Sequence, residues 1–159
     1  LQPKSHVYQT ENYLIDNHRR WVKRPPLPPS LLPTLCDSVP SLWVNGYHSV
    51  KGKNDKIPFE IVTGTIRNSL LLIKPESLTI KVSSGKYDVK KRVRAHFIFN
   101  NQEYDFAITD FKVELAYEVK DDGDYPIFEE AYLCISLGEP FYDFCYKLVA
   151  SIIFLNQFQ

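Results

Sequence analysis

Asp110, Glu118 and Lys120 have the spacing most typical of catalysis in this chain. They form the pattern D-x7-E-x-K, in which two carboxylates would hold Mg²⁺ and the lysine would position the attacking water of a nuclease. The pattern requires Glu118 and Lys120 to lie on a strand after a hairpin. Because the Asp–Glu spacing is short for this chemistry, a metal-dependent nuclease is the least favoured functional hypothesis.

Other catalytic chemistry has little support in the sequence. The four histidines have no zinc-ligand spacing, and neither G-x-S-x-G nor G-x-G-x-x-G occurs, so no metal or cofactor is expected. Cys36, Cys134 and Cys145 lie among apolar residues and are predicted to be buried, reduced thiols, with a Cys134–Cys145 disulfide as the alternative. Reduced thiols favour a cytoplasmic protein.

A predicted strand carries four basic side chains on one face, at alternate positions: Lys90, Arg92, Arg94 and His96. Alternate residues of a strand lie about 6.6–6.8 Å apart, close to the phosphate repeat of an extended single strand. These residues are therefore candidates for phosphate contacts. The alternative is an ordinary solvated face, balanced by Glu103 and Asp105 on the partner strand.

A second basic cluster occupies residues 18–24 and includes Arg19, Arg20 and Trp21. The arginines are candidates for phosphate contacts, and Trp21 and Trp43 are candidates for stacking on bases. The alternative for this cluster is a solvated loop with Trp21 anchored to the core.

Composition indicates a soluble globular chain of mostly β class. The chain has 159 residues, 44% hydrophobic and 24% charged, with a formal net charge of zero, so any polyanion site depends on local clustering. Residues 25–33 hold five prolines and predict a rigid connector, followed by one helical turn within residues 31–36. We expect an irregular or β segment over residues 1–40 and an OB-like β-barrel region over 41–159, or one continuous domain over 1–159.

The clearest predicted element is a β-hairpin with Asn100-Asn101 as its turn. This turn places Phe97 opposite Tyr104 and Ala95 opposite Phe106, which brings one apolar face into register. The apolar alternation changes phase after Thr109 and continues to Val119. That change predicts a bulge or barrel corner within a continuing strand.

Residues 131–153 contain two apolar runs, separated by Gly138-Glu139-Pro140. They predict two strands joined by a turn at these three residues. The longest apolar run, residues 148–155, is far too short to span a membrane, so no membrane association is expected. The chain begins at Leu1 and not at Met, so an N-terminal segment is expected to be missing from it.

Eight short stretches carry a family resemblance through their order along the chain. Residues 9–16, 41–46, 54–58, 69–75, 91–97, 108–110, 133–141 and 145–150 read QTENYLID, SLWVNG, NDKIP, SLLLIKP, KRVRAHF, ITD, LCISLGEPF and CYKLVA. In this order the chain resembles the C-terminal, major part of the bacterial dual OB-fold proteins of nucleic-acid modification. The resemblance implies OB-like β-barrels, which bind single strands through aromatic residues and a positive groove. It supplies no catalytic residues.

These observations together favour a nucleic-acid-binding accessory module. We expect it to bind single-stranded DNA or RNA and to work beside a modification or defence enzyme. A protein-interaction or ligand-sensing β domain is the alternative, which the neutral net charge favours.

Overall fold

The computed structural model describes residues 2–3, 7–14, 16–18, 20–85 and 90–155, and it is mostly β-sheet with short helices. The strands are β1 Gln2–Pro3, β2 Tyr13–Leu14, β3 Lys56–Pro58, β4 Leu70–Ile73, β5 Ser77–Ser83, β6 Arg92–Phe99, β7 Gln102–Ile108, β8 Gly123–Ile127, β9 Ala131–Phe141 and β10 Phe144–Phe154. The helices are α1 Leu32–Leu35, α2 Phe59–Thr65 and α3 Phe111–Glu118, and a 3₁₀ turn, Pro29–Leu31, leads into α1. The short helix expected within residues 31–36 is thus confirmed.

Eight of the described strands form one sheet in the order β4-β9-β10-β7-β6-β5-β8, with β3 pairing to β10 beside this path. β7 and β10 are parallel, and the other pairs are antiparallel. The sheet is open, because β4 and β8 lie at its two edges. Asp37 covers part of the β4 edge: its N–H donates to the Leu72 carbonyl, and its Oδ2 accepts from the Leu72 N–H, both at 2.8 Å.

The hairpin of β6 and β7 has the predicted turn and register. Asn100 and Asn101 have φ of 49° and 57°, as a two-residue hairpin turn requires. Ala95 pairs with Phe106 and Phe97 with Tyr104. Because these four side chains are fully buried, a one-residue slip would expose them and is strongly disfavoured.

The predicted turn at Gly138-Glu139-Pro140 is wrong, because β9 continues through these residues to Phe141. The loop consists of Tyr142 and Asp143, and Phe141 pairs with Phe144 across it. Pro140 is tolerated in β9 because it lies beyond the residues that pair with β4. On that side none of the described strands offers a carbonyl, so the lack of an N–H at Pro140 costs no hydrogen bond of the sheet.

The predicted continuation of the strand after Thr109 is also wrong, because residues 111–118 form α3. Asp110 is the N-cap: its carboxylate accepts from the N–H groups of Lys112 and Val113 at 3.0 and 3.4 Å. Within α3 only Val113 is buried. The period-two apolar pattern therefore places Phe111 and Leu115 on the exposed side of a helix and not on one face of a strand.

Residues 53–58, called here the inserted segment, separate β7 from β10. The two strands pair directly at Ala107–Leu148 and Ile108–Val149. Nearer the start of β10, the inserted segment pairs with β10 through β3, and Lys53 exchanges two backbone hydrogen bonds with Asp105 of β7. The inserted segment thus bridges β7 and β10 where these two strands do not pair with each other.

The buried side chains form two clusters. The larger lies beneath β4–β7, β9 and β10 and includes the fully buried Phe97, Tyr104 and Phe106. The smaller joins Tyr8 to residues of β3, α2, β9 and β10, and Trp43 packs against both clusters. The Tyr8 hydroxyl lies 3.4 Å from the Gly138 carbonyl, so residues before position 40 contact those after it.

Candidate nucleic-acid interface

The candidate basic face lies on the outer side of β6. Its buried positions alternate with exposed or half-buried ones, so Val93, Ala95 and Phe97 fill the core. Arg92, Arg94 and His96 therefore project from the opposite face, as the alternation predicts. Lys90 precedes the strand and is exposed.

The Arg94 guanidinium is hydrogen-bonded to neighbouring aspartates and is largely shielded from solvent. Its Nε donates to Asp105 Oδ1 at 2.5 Å, and its Nη2 donates to the Asp105 carbonyl at 2.6 Å and to Asp55 Oδ2 at 3.3 Å. Only 15% of the side chain is exposed. A phosphate would have to displace these charge-assisted bonds to reach it.

His96 lies in the same neutralised surroundings. Its Nε2 is 3.5 Å from Glu103 Oε1, and its Nδ1 is 3.8 Å from Asp105 Oδ2. Lys81 approaches Asp105 Oδ2 at 3.6 Å, and Lys53 pairs with Glu103 and thereby lowers the pKa of that carboxyl. This geometry supports the alternative interpretation of the face, in which the acids of β7 balance its cations.

Arg92 and Lys90 are the more accessible members of the basic set. Arg92 is exposed at the start of β6. Lys90 Nζ lies 3.0 Å from Glu114 Oε1 and 3.3 Å from Glu118 Oε2, and these hydrogen bonds to the α3 carboxylates raise the pKa of Lys90. Both side chains are more accessible to a ligand than that of Arg94.

The two tryptophans differ sharply in accessibility. Trp21 is 82% exposed and follows an exposed Arg20, whereas Arg19 lies outside the described residues. Trp43 is half-buried, and its Nε1 donates to Asn68 Oδ1 at 3.2 Å. Trp43 is therefore part of the packing between the two clusters, and Trp21 is the indole that a base could cover.

Asp110, Glu118 and Lys120 are not brought together. Asp110 caps the start of α3 and Glu118 ends the helix, so they lie about 12 Å apart along its axis. A metal ion binds carboxylate oxygens at about 2–2.6 Å and could not bridge that gap. Lys120 instead lies over the rings of Tyr117 and Tyr125, at 4.1 and 4.8 Å from their centroids.

Asp110 is occupied by structural hydrogen bonds. Besides capping α3, its Oδ2 accepts from the Ser151 hydroxyl at 3.0 Å and from the Ile152 N–H at 3.1 Å. Burial alone would raise the pKa of Asp110, but these bonds outweigh it and lower the pKa. The residue thus ties the start of α3 to β10.

Lys147 is a fully buried lysine within an apolar stretch of the sequence. It is 1% exposed, and its Nζ donates to the Val44 carbonyl at 2.7 Å and to Asn45 Oδ1 at 3.1 Å. Burial lowers the pKa of Lys147 to about 7, against the opposing influence of the Asp55 carboxylate. The single charge within the apolar run of β10 was the sequence signal for it.

Asp55 and Lys147 together fix the irregular region that precedes β3. Asp55 is 3% exposed and accepts from the N–H and hydroxyl of Ser49 at 2.7 and 2.6 Å. Its backbone carbonyl accepts from the Lys147 N–H at 2.8 Å. The outer face of β6, the inserted segment and β10 are therefore joined through one buried polar group.

Cysteine and metal chemistry add no further candidate within the described residues. All three cysteines are free thiols, and Cys145 is buried while Cys36 and Cys134 are half-buried. Within the same part of the chain, no three His, Cys, Asp or Glu side chains are grouped so that they could hold a metal ion. No helix there has the length and apolar character needed to cross a membrane.

Comparison with known families gives one match. The family model described as the dual OB-containing domain matches residues 1–152. Searches of the curated proteins and of the solved structures found no match.

Proposed function

Because the chain belongs to the dual OB-containing domain family, we propose that it is a nucleic-acid-binding accessory module. It binds an unpaired strand of DNA or RNA and works beside a nucleic-acid modification or defence enzyme. OB folds bind single strands with aromatic side chains and basic grooves, and this chain has exposed groups of both kinds.

The observation that carries the proposal is the exposure of Trp21. A tryptophan side chain buries 150–250 Å² in a typical fold, yet this one is 82% exposed. Exposed cations flank it in the sequence: Arg20, Lys23 and Arg24. An indole between cations supplies base stacking and phosphate contact at adjacent positions.

Phosphate contacts are assigned to Arg20, Lys90 and Arg92. Lys90 must leave Glu114 and Glu118 to reach a phosphate; its own side chain is 57% exposed, but the carboxylates are 28% and 22% exposed, so the phosphate contact has to offset the loss of these ion pairs. Arg94 is excluded as a primary contact, since moving it would leave the buried Asp55 unpaired. His96 is close to two carboxylates and contributes less than Arg92.

The neutral net charge limits the number of phosphates that are contacted. With about three contacts, the logarithm of the binding constant falls with the logarithm of salt with a slope of about −2 on single strands. A free-standing polyanion binder is usually basic, so the affinity of the isolated module is modest, and the partner enzyme adds the rest.

The test is a titration with single- and double-stranded DNA and RNA at two salt concentrations. Trp21→Ala should weaken binding of single strands about tenfold, since loss of base stacking on an aromatic costs about 1–3 kcal/mol per base. Phe128→Ala is the matched control, because it also removes an exposed aromatic ring, 95% exposed, at a position outside the basic cluster. Equal affinity of wild type and Trp21→Ala, or binding without salt dependence, contradicts the proposal.

A specific observation also supports the second candidate, a protein-interaction domain. Phe111, Leu115 and Val119 are 72%, 51% and 77% exposed and recur every four residues along and just after α3. Such spacing places them on one side of a helix, where a protein partner could cover them. A stable partner in a pull-down that Leu115→Glu abolishes, with no binding of oligonucleotides, would decide for this candidate.

A further inference from the structure

The loop of the β9–β10 hairpin carries exposed aromatic rings that neither cluster uses. Phe141 and Tyr142 are 63% and 86% exposed, and their ring centroids lie 4.7 Å apart. Tyr146 lies 6.4 Å from Phe141, which extends the cluster along β10. Rings grouped in this way and left in water form a surface on which another flat ring can stack.

Tyr142 keeps its ring there at a conformational cost. It is the first residue of the two-residue loop and has φ of 53°. Glycine is the residue that normally takes a positive φ at this position of a hairpin, and bulky side chains are disfavoured. A strained aromatic where glycine would fit better indicates a role for the side chain.

A cleft of about 440 Å³ opens between this loop and the start of α2. It is lined by Pro58, Phe59, Glu60, Tyr142, Asp143 and Phe144. The Phe59 N–H donates to the Asp143 carbonyl at 2.9 Å, so the two sides of the cleft are joined by a hydrogen bond. The volume is in the range of small-ligand sites.

The lining combines aromatic rings with two exposed carboxylates, Glu60 and Asp143. Rings and carboxylates suit either a cation or a neutral flat ring that carries N–H donors. The Lys56 ammonium already lies 4.0 Å from the centroid of Phe144 and occupies the position that a ligand cation would take over that ring. The chemistry therefore favours the neutral ring, with Lys56 placed to meet an attached phosphate.

We propose that this cleft binds one unpaired guanine of a single strand. The base stacks on Tyr142, while Glu60 or Asp143 accepts hydrogen bonds from its ring N–H and its amino group, which lie side by side and match two carboxylate oxygens. Lys56 contacts the adjoining phosphate. This inference rests on the proposed function and adds a base preference and a second contact site to it.

The experiment compares three fluorescently labelled 11-residue DNA strands by anisotropy. All are thymidine strands that differ at the central position, which is thymine, guanine or hypoxanthine, the last of which lacks the amino group. We expect guanine to bind about tenfold more tightly than thymine, with hypoxanthine between them. Glu60→Gln/Asp143→Asn should bring the ratio of the guanine-strand affinity to the all-thymidine-strand affinity down to about one; the loss of two negative charges acts on all strands alike and does not alter this ratio.

Tyr142→Gly separates binding from folding. It should lower affinity for the guanine strand about tenfold, while its unfolding midpoint in urea does not fall, because glycine suits the positive φ. Phe128→Ala is the control, since Phe128 is 95% exposed but does not line the cleft.

The two proposals fail in different ways. Equal binding of the three strands by wild type overturns the guanine site and leaves the proposed function standing. An unchanged guanine preference in Tyr142→Gly and in the carboxylate variant does the same. Absence of binding to every strand overturns both.

Discussion

Arg94 donates two hydrogen bonds to Asp105, from Nε to Oδ1 at 2.5 Å and from Nη2 to the backbone carbonyl at 2.6 Å. The same Nη2 reaches Asp55 at 3.3 Å, so one guanidinium links β6, β7 and the inserted segment. Arg94, which the alternation of the sequence predicts as a phosphate contact, therefore stabilises the fold. Substitutions on this face must separate the two effects.

Arg94→Ala is expected to destabilise the fold by about 3 kcal/mol, because it leaves the carboxylates of Asp55 and Asp105 buried without their main cation. Arg92 lies two residues before Arg94 on the same face of β6 and is exposed. Arg92→Ala should therefore change the free energy of unfolding by no more than about 0.5 kcal/mol. Urea unfolding measures both. If binding of single strands falls in Arg92→Ala at unchanged stability, Arg92 is the contact; equal stability of the two variants contradicts the structural role of Arg94.

Gly52→Ala is expected to destabilise the fold by about 1–3 kcal/mol, since the added Cβ would lie 1.9 Å from Asp55 Oδ2 and 2.6 Å from Arg94 Nη2. Both atoms are held by hydrogen bonds, Asp55 Oδ2 by the Ser49 hydroxyl and Arg94 Nη2 by the Asp105 carbonyl, and cannot move aside cheaply. Gly64→Ala in α2 is the matched control, because a Cβ there meets nothing within 4 Å. Alanine is the better helix former, so the control should gain about 0.5–1 kcal/mol. A neutral Gly52→Ala in thermal and urea unfolding would contradict this packing.

Lys147 makes stability depend on pH. Its pKa is about 7 in the folded state and 10.5 in the unfolded chain, so above pH 7 the unfolded chain binds more protons. Stability should therefore be lowest below pH 7 and rise as pH increases above it, by up to about 1.4 kcal/mol per unit. Urea unfolding between pH 6 and 8.5 measures the slope and avoids most thiol ionisation.

Lys147→Met is the test of that assignment, because it keeps the length of the side chain and removes the charge. The rise between pH 7 and 8.5 should disappear in this variant. A slope that persists would assign the dependence to another group. The variant also leaves the Val44 carbonyl and Asn45 Oδ1 without their donor, so its stability at high pH should be below that of wild type.

Asp110→Ala is expected to cost about 1–2 kcal/mol, because α3 loses its N-cap and Ser151 and Ile152 lose their acceptor. Asp110→Asn keeps an acceptor oxygen at the cap and should cost less. Since the folded pKa of Asp110 is lowered, its contribution is present above the unfolded value of 3.8 and is lost as pH falls below it. Acid unfolding of the wild type and both variants checks this; identical acid midpoints would count against it.

The β6–β7 hairpin could be predicted from sequence because the local and tertiary requirements agree. Asn100 and Asn101 tolerate the positive φ that a two-residue loop needs. The register they set buries Phe97, Tyr104 and Phe106 together, and the three rings pack with centroids 5.3–5.5 Å apart. Turn chemistry and apolar periodicity thus indicate the same structure.

Residues 110–118 could not be predicted in this way, because their period-two pattern is typical of a strand while their capping chemistry is that of a helix. Asp110 favours the helix, because its carboxylate accepts hydrogen bonds from two N–H groups of the first helical turn and from the Ile152 N–H of β10. The contact with β10 joins residues 41 or more positions apart in sequence, which no local pattern shows. The loop at Tyr142 was missed for a related reason: tyrosine is an unusual residue at a positive φ.

The partners of the basic residues were equally hidden. Asp55 lies 39 positions from Arg94 in sequence and reaches it only because the inserted segment separates β7 from β10. Alternation placed Arg94 on the correct face of β6, and the predicted register, with Phe97 opposite Tyr104 and Ala95 opposite Phe106, also sets His96 opposite Asp105, as observed. The sequence could not predict that the inserted segment buries Arg94, because that contact exists only in the folded structure.

Strand β10 also has a consequence for the order in which the chain folds. It is the element that pairs with β3, β7 and β9, and the first two precede it by more than 35 positions. During synthesis the inserted segment has no neighbour on that side until residues 144–154 leave the ribosome. Such long-range pairing slows folding and leaves strand edges open meanwhile, so this chain should depend on chaperones more than a helical protein of its size.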